Sequence, residues 1–211
     1  MNCEKEKGVR KTLWMIHLAL VVPAVACAQE NPRFEAFGGY SYGMVWGYVA
    51  GQIVPGSGDA TFPRFGSNGW TGSVAFNPTR LIGAEVFVGG LYTNLKMPSG
   101  GTEIDLNMHE RSLLFGPRFS YRSDRWTLFA HGLFGEAHAT VALTEPEALT
   151  PLGFVETKLA MGVGGGLEFT VAPGGRRGIG FRPMQLDWIR TSFAGTHQGI
   201  LWLSTGVVFH F

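Results

Sequence analysis

From residue 34 onward, apolar side chains recur at every second position, the spacing of β-strands whose two faces meet different surroundings. Phe34, Ala36, Gly38, Tyr40 and Tyr42 share one face of a first segment, and Glu35, Phe37, Gly39 and Ser41 share the other. Near 68–77, Trp70, Gly72, Val74 and Phe76 stand opposite Thr71, Ser73, Ala75 and Asn77. A third segment sets Ile82, Ala84, Val86, Val88 and Tyr92 against Gly83, Glu85 and Phe87, and a fourth sets Leu113, Phe115, Phe119 and Tyr121 against Ser112, Gly116, Arg118 and Ser120. In the sixth, Leu159, Met161, Val163, Leu167 and Phe169 oppose Lys158, Gly162, Gly164, Gly166 and Glu168. The last runs to the chain end, with Leu201, Leu203, Thr205, Val207, Phe209 and Phe211 opposite Trp202, Ser204, Gly206, Val208 and His210. Two segments carry an irregular phase. In the fifth, 126–139, His131 and Glu136 cannot both face inward without a bulge, and in the seventh Arg182 is out of phase with Gln185 and Asp187, which predicts a bulge near Pro183.

One face of these segments is continuous and aromatic; the other is small, glycine-rich and carries isolated charges. A soluble sandwich would bury the large residues and charge the far face richly. The pattern therefore predicts an all-β chain, an eight-stranded antiparallel up-and-down transmembrane barrel with apolar side chains toward lipid and small polar ones toward the lumen. The joins agree. Short turns at 77–80, 122–125 and 172–178 alternate with longer connections at about 44–67, 93–106, 140–156 and 192–198. That is the asymmetry of periplasmic turns and extracellular loops, and it places both termini in the periplasm. Arg80, Arg122, Arg125, Arg176 and Arg177 sit in or beside the short turns, where they would face inner-leaflet headgroups.

The first 28 residues read as an address, so the chain divides into a signal peptide (1–28) and a barrel domain (29–211). Lys5, Lys7, Arg10 and Lys11 precede the apolar run Leu13 to Ala26, and Ala26-Cys27-Ala28 offers small residues for cleavage after Ala28. Ala24-Val25-Ala26-Cys27 also reads as a weak lipobox, which would lipidate Cys27. The only other cysteine is Cys3, so cleavage after Ala28 leaves neither a disulfide nor a catalytic thiol.

Composition fits this division. Charged residues make up 16% of the 211, below the usual share of about 25%, and glycine contributes 31. Removing Glu4, Glu6 and the four leader cations leaves 13 basic and 14 acidic side chains, a net charge of −1, with Lys96 and Lys158 the remaining lysines. Such balance provides no electrostatic footprint for nucleic acid.

The chain ends on Val207-Val208-Phe209-His210-Phe211, which looks like the C-terminal signal read by the barrel-assembly machinery of Gram-negative bacteria, with Phe209 and Phe211 carrying it. Together with Phe34 to Tyr42, with Phe115-Gly116-Pro117-Arg118-Phe119-Ser120-Tyr121 and with Arg182 to Trp188, the chain resembles the OmpA-type eight-stranded outer-membrane barrel family throughout its mature length. The resemblance implies a lumen filled by paired charges at Glu35, Glu85, Arg118, Lys158, Glu168, Arg182 and Asp187. Trp202, on the lumen face of the last strand, departs from the polar residue usual in relatives and makes a continuous aqueous path less expected. Larger relatives continue into a peptidoglycan-binding domain that this sequence does not show.

Catalytic chemistry has little support. Glu136 and His138, with His131 nearby, could be read as an acid/base or metal cluster, but three ligands at suitable angles are not evident. The His, Ser and acid set of lipopolysaccharide-editing barrels lacks its His-x-Ser pair, because His109 is followed by Glu110-Arg111 and His197 by Gln198-Gly199. The glycines at 162 and 164–166 lack the lysine of a phosphate loop. The expectation is a non-enzymatic, monomeric barrel without cofactor or metal, whose partners are outer-membrane lipid, lipopolysaccharide and the assembly machinery. Trp70, Tyr92, Tyr121, Trp126 and Trp188 would form aromatic girdles. The acids Asp59, Glu103, Asp105, Glu145, Glu147 and Glu156 would face the exterior, as solvated loop surface or bridged to lipopolysaccharide by divalent cations. The role would be envelope integrity or surface interaction through four extracellular loops. A narrow porin-like channel and a soluble lipocalin-like binding barrel are the alternatives.

Overall fold

The computed structural model describes residues 32–46, 64–99, 102–144, 152–174, 177–193 and 196–211. The leader with Cys27, and the acids Asp59, Glu145 and Glu147, lie outside the described residues, as do the side chains of Glu103, Arg176 and Arg177.

Eight strands form the chain: β1 (Phe34–Trp46), β2 (Phe65–Phe76), β3 (Ile82–Ser99), β4 (Thr102–Arg122), β5 (Trp126–Thr144), β6 (Leu152–Gly174), β7 (Arg177–Phe193) and β8 (Thr196–His210). Each pairs antiparallel with its sequence neighbours, and β8 returns to β1 to close a barrel. At the seam, Phe34 N–H donates to Phe211 O at 3.3 Å and Phe211 N–H donates to Phe34 O at 2.8 Å. Closure removes the free edges that an open sheet would expose, a condition for standing in lipid.

The period-two reading holds along the wall. Tyr40, Val74, Val86, Phe119, Leu128, Val163, Leu186 and Val207 point outward and are exposed, while Glu35, Ser41, Ser73, Glu85, Arg118 and Ser204 point inward and are buried. The lipocalin-like alternative needs the reverse, with large apolar residues inward and polar ones outward. The bulge expected near Pro183 is present: Arg182 pairs with Gly206 and Gln185 with Ser204, a slip that turns both Arg182 and Gln185 inward.

One facing left open is settled and one expectation changes. β5 keeps one register against β4 from Phe134↔Phe115 to His131↔Arg118, so without a bulge His131 and Glu136 take opposite faces. His131 faces the lumen and Glu136 the outer wall. The connection read at 93–106 is mostly sheet, because β3 and β4 remain paired as far as Ser99↔Thr102. Strand pairing needs only backbone groups, so it continues past the point where the two-faced side-chain pattern fades.

The interior is also more apolar than the pattern implies. Its turn-end half is polar, but toward the long connections Phe87, Leu91, Leu114, Leu133, Ile189, Phe193, Ile200 and Trp202 form a buried cluster. Trp202 and Phe87 meet edge to face with ring centroids 5.6 Å apart. The indole fits because Gly89 has no side chain: a Cβ there would lie 2.5 Å from the Trp202 ring. Gly89→Val is therefore expected to destabilise the barrel by about 1–3 kcal/mol through overpacking. Gly38→Ala, which points into open space, should leave the urea midpoint of heat-modifiable gel migration unchanged.

Candidate functional site in the lumen

The inward faces of β1, β3, β4, β5 and β6 and the bulged face of β7 aim their charged residues at one level near the short turns. Arg118 lies at its centre with no exposed surface. Its Nη2 is 2.8 Å from Glu168 Oε1 and 3.0 Å from Glu35 Oε2, and its Nη1 is 3.5 Å from Glu85 Oε2. Arg182 Nη2 shares the same Glu168 oxygen at 2.5 Å, and its Nη1 donates to Gln185 Oε1. Gln185 Nε2 donates to Asp187 Oδ2 at 2.7 Å. Both guanidiniums lie over aromatic faces, Arg118 4.0 Å from the Phe129 centroid and Arg182 4.0 Å from that of Phe37. These contacts replace part of the hydration the cations give up.

His131 joins the two sides. Its Nδ1 lies 2.9 Å from Glu85 Oε2 and its Nε2 2.7 Å from Asp187 Oδ1. With both carboxylates ionised, both contacts are hydrogen bonds when both nitrogens carry hydrogen, and that imidazolium would balance the layer. Glu35, Glu85, Glu168 and Asp187 would then face Arg118, Arg122, Arg182 and His131.

Of the residues expected in this network, Glu35, Glu85, Arg118, Glu168, Arg182 and Asp187 come together. Lys158 does not. It stands at the loop-side rim with its side chain 45% exposed, paired with Glu156 at 2.8 Å. It shares the inward face of β6 with Glu168, but it lies three residues past Met161↔Arg190, the last pair between β6 and β7 on the loop side. Arg122 moves the other way. Rather than facing headgroups, it folds beneath the barrel, with Nη2 2.7 Å from Glu35 Oε1 and Nη1 donating to Arg80 O at 2.6 Å. Its place two residues beyond Ser120 on the inward face was the available signal. His131 and Gln185 were also missed as members, although each stands on an inward position once the bulge is assigned to β7 alone.

Above this layer, Trp202 Nε1 donates to Thr71 Oγ1 at 2.8 Å, and Ser41 bonds both Thr71 and Ser204. Nearer the loops, Glu110 is buried with its Oε1 unpartnered, beside a cavity of about 10 Å³ that Ser67 and Thr93 also line. That is room for about one water. The suggested cluster of His131, Glu136 and His138 is split by the barrel wall, and among the described residues no group of His, Cys, Asp and Glu is arranged to hold a metal.

On the outer wall, Trp70, Tyr92, Tyr121, Trp126 and Trp188 all point outward and are exposed. Tyr121 and Trp126 pair at the turn end with centroids 5.5 Å apart, and Trp70 Nε1 donates to Tyr92 Oη at 3.3 Å toward the loops. Phe209 and Phe211 are outward on either side of the β1–β8 seam's last bonds. Among the candidate exterior acids, Asp105 is exposed and Glu156 pairs with Lys158.

The charged layer makes a stability prediction. Glu168→Leu leaves two buried guanidiniums short of their shared acceptor and should cost about 3–5 kcal/mol. Lys158→Ala should cost less than about 1 kcal/mol, since its ion pair is solvent-screened. Urea unfolding followed by tryptophan emission in detergent measures both.

No family model matches the chain, and no curated protein matches it by sequence. Solved structures do match by fold. The attachment invasion locus protein Ail of Yersinia pestis, in complex with the heparin analogue sucrose octasulfate, aligns with TM-score 0.54 at 14% identity over 84% of this chain and 99% of that one. Neisserial surface protein A aligns with TM-score 0.53 at 12% identity, covering 84% of this chain and 97% of the other. At such low identity, the shared feature is the architecture: the chain has the fold of the small eight-stranded outer-membrane β-barrels.

Proposed function

We propose that this chain is an integral outer-membrane barrel with a structural or surface-interaction role, presented through its long connections, and that it does not conduct. The leader 1–28 would direct export and be removed after Ala28. The outward Phe209 and Phe211 would be read by the assembly machinery, and the barrel would stand as a monomer among outer-membrane lipids and lipopolysaccharide, without enzymatic activity.

The observation that carries the non-conducting reading is a lumen blocked twice in series. Arg118 and Arg182 at one level, and Trp202 and Phe87 at the next, are fully buried. An eight-stranded barrel has a bore only wide enough for side chains, and here they fill it. The exterior supports a lipid setting, because its outward positions are occupied by exposed aromatic and aliphatic residues that would otherwise meet water.

Planar-bilayer recording tests the first part. The protein should be silent, and Trp202→Ala should stay silent because the Arg118 and Arg182 layer still closes the bore. Discrete openings in the unaltered protein would overturn the reading in favour of a pore. Lipids brominated on their acyl chains test the second part. In single-tryptophan variants, Trp188 should be strongly quenched and Trp202 little affected, whereas a soluble ligand-binding barrel would show no quenching at Trp188.

A further inference from the structure

The outer wall carries on its loop side a mainly apolar groove that also holds Arg111, Glu136 and His138. One rank of paired residues crosses β1 to β6: Tyr40↔Trp70, Trp70↔Gly90, Gly90↔Arg111, Arg111↔His138 and His138↔Thr157. Gly90 leaves a gap in this rank. The Trp70 indole leans over it, so that a Cβ on Gly90 would lie 2.8 Å from the indole nitrogen. The result is a groove of about 250 Å³ lined by Trp70, Val88, Arg111, Leu113, Glu136 and His138. His138 is held by Thr157, with Nδ1 and Oγ1 2.8 Å apart. Among the described residues, Arg111 and Glu136 have no hydrogen bond or ion pair.

The depth of this groove indicates what it meets. Tyr121 and Trp126 mark the turn-side edge of the apolar wall. Rising along β4 from Tyr121 to Arg111, at about 3.3 Å per residue and a tilt of about 40°, covers about 25 Å, the height of the apolar band of such barrels. Arg111 and His138 therefore stand at the level of outer-leaflet headgroups. Below them, Glu136 pairs with Leu113 on one side and Leu159 on the other, where the wall turns apolar.

Arg111 has no ion pair among the described residues, although the Glu136 carboxylate lines the same groove; its planar guanidinium fork can take one anion and matches phosphate oxygens two at a time. The volume lies below the range of about 300–1,000 Å³ for a whole small-molecule site, so it suits a headgroup whose chains run down the wall. We propose that this groove is a specific site for the phosphorylated sugar headgroup of an outer-leaflet glycolipid. Arg111 holds one phosphate and Trp70 forms one side wall, while His138, fixed by Thr157 at Nδ1 (2.8 Å) and by Thr140 at Nε2 (3.5 Å), forms another. Glu136 accepts from an uncharged sugar hydroxyl and disfavours a second phosphate beside it. The acyl chains follow Val88, Leu113 and Leu159. This rests on the outer-membrane reading above and names the lipid partner within it.

Native mass spectrometry of the full barrel, released from nanodiscs, tests the site with a synthetic acylated glucosamine-disaccharide monophosphate and its dephosphorylated counterpart. A one-to-one adduct should favour the monophosphate by about tenfold or more, as expected for a charge-assisted contact. Arg111→Gln should remove that preference, and Gly90→Val, which fills the gap beside Trp70, should weaken the adduct as well. Arg190→Gln alters an outward cation outside the groove and should leave it unchanged. Heat-modifiable migration confirms that each variant is folded. Equal binding of both glycolipids, or an undiminished preference in Arg111→Gln, overturns the site. Quenching of Trp188 by brominated lipid in the same nanodiscs keeps that failure separate from a failure of the membrane reading.

Discussion

Closing eight strands into a cylinder leaves a bore about as wide as the side chains that point into it, and the inward residues follow from that restriction. Large and small residues must alternate around the axis, which is why the Trp202 ring lies over Gly89. Charges placed in so narrow a space have no bulk water to turn to, so each must find its partner across the lumen. Arg118 and Arg182 meet this requirement by sharing Glu168 and by lying over aromatic rings. The outer wall obeys a different solvent. There, an apolar belt needs no partners, and Arg111 stands where its charged neighbours begin.

These two environments make the barrel a wall with two insulated surfaces. The lumen carries dense internal bonding, which contributes rigidity. On the function proposed above, interaction is left to the rim, the long connections and the loop-side part of the outer face. His131 and His138 show how complete the separation is. They lie seven positions apart on β5, yet one joins Glu85 to Asp187 in the lumen and the other joins Thr157 on the outer wall.

Much of the charged layer was readable from parity alone, because Glu35, Glu85, Arg118 and Glu168 each occupy an inward position of an alternating strand, and Asp187 does so in phase with Gln185. Arg182 required one bulge, signalled by its phase against Gln185 and by Pro183. Lys158 shared the parity and still failed to join, since parity assigns a face and says nothing about height. Arg122 was misread as a turn cation because the turn follows it immediately, although its face was that of Arg118. The apolar upper half of the lumen was hidden for a related reason: Leu91, Leu133, Ile189 and Ile200 are inward residues that look like lipid-facing ones when only hydrophobicity is weighed.

The sequence by itself determined the number of strands, the face of nearly every residue and the inside-out character of the barrel, because alternation depends only on the local geometry of an extended backbone. Tertiary structure alone decided which inward residues meet. The stagger of neighbouring strands, the slip at Arg182 and the unequal lengths of the hairpins set each side chain's height along the axis. Height decided that Arg118 reaches Glu35 and Glu168, that Lys158 stays at the rim, and that Arg111 and His138 share a groove across four strands.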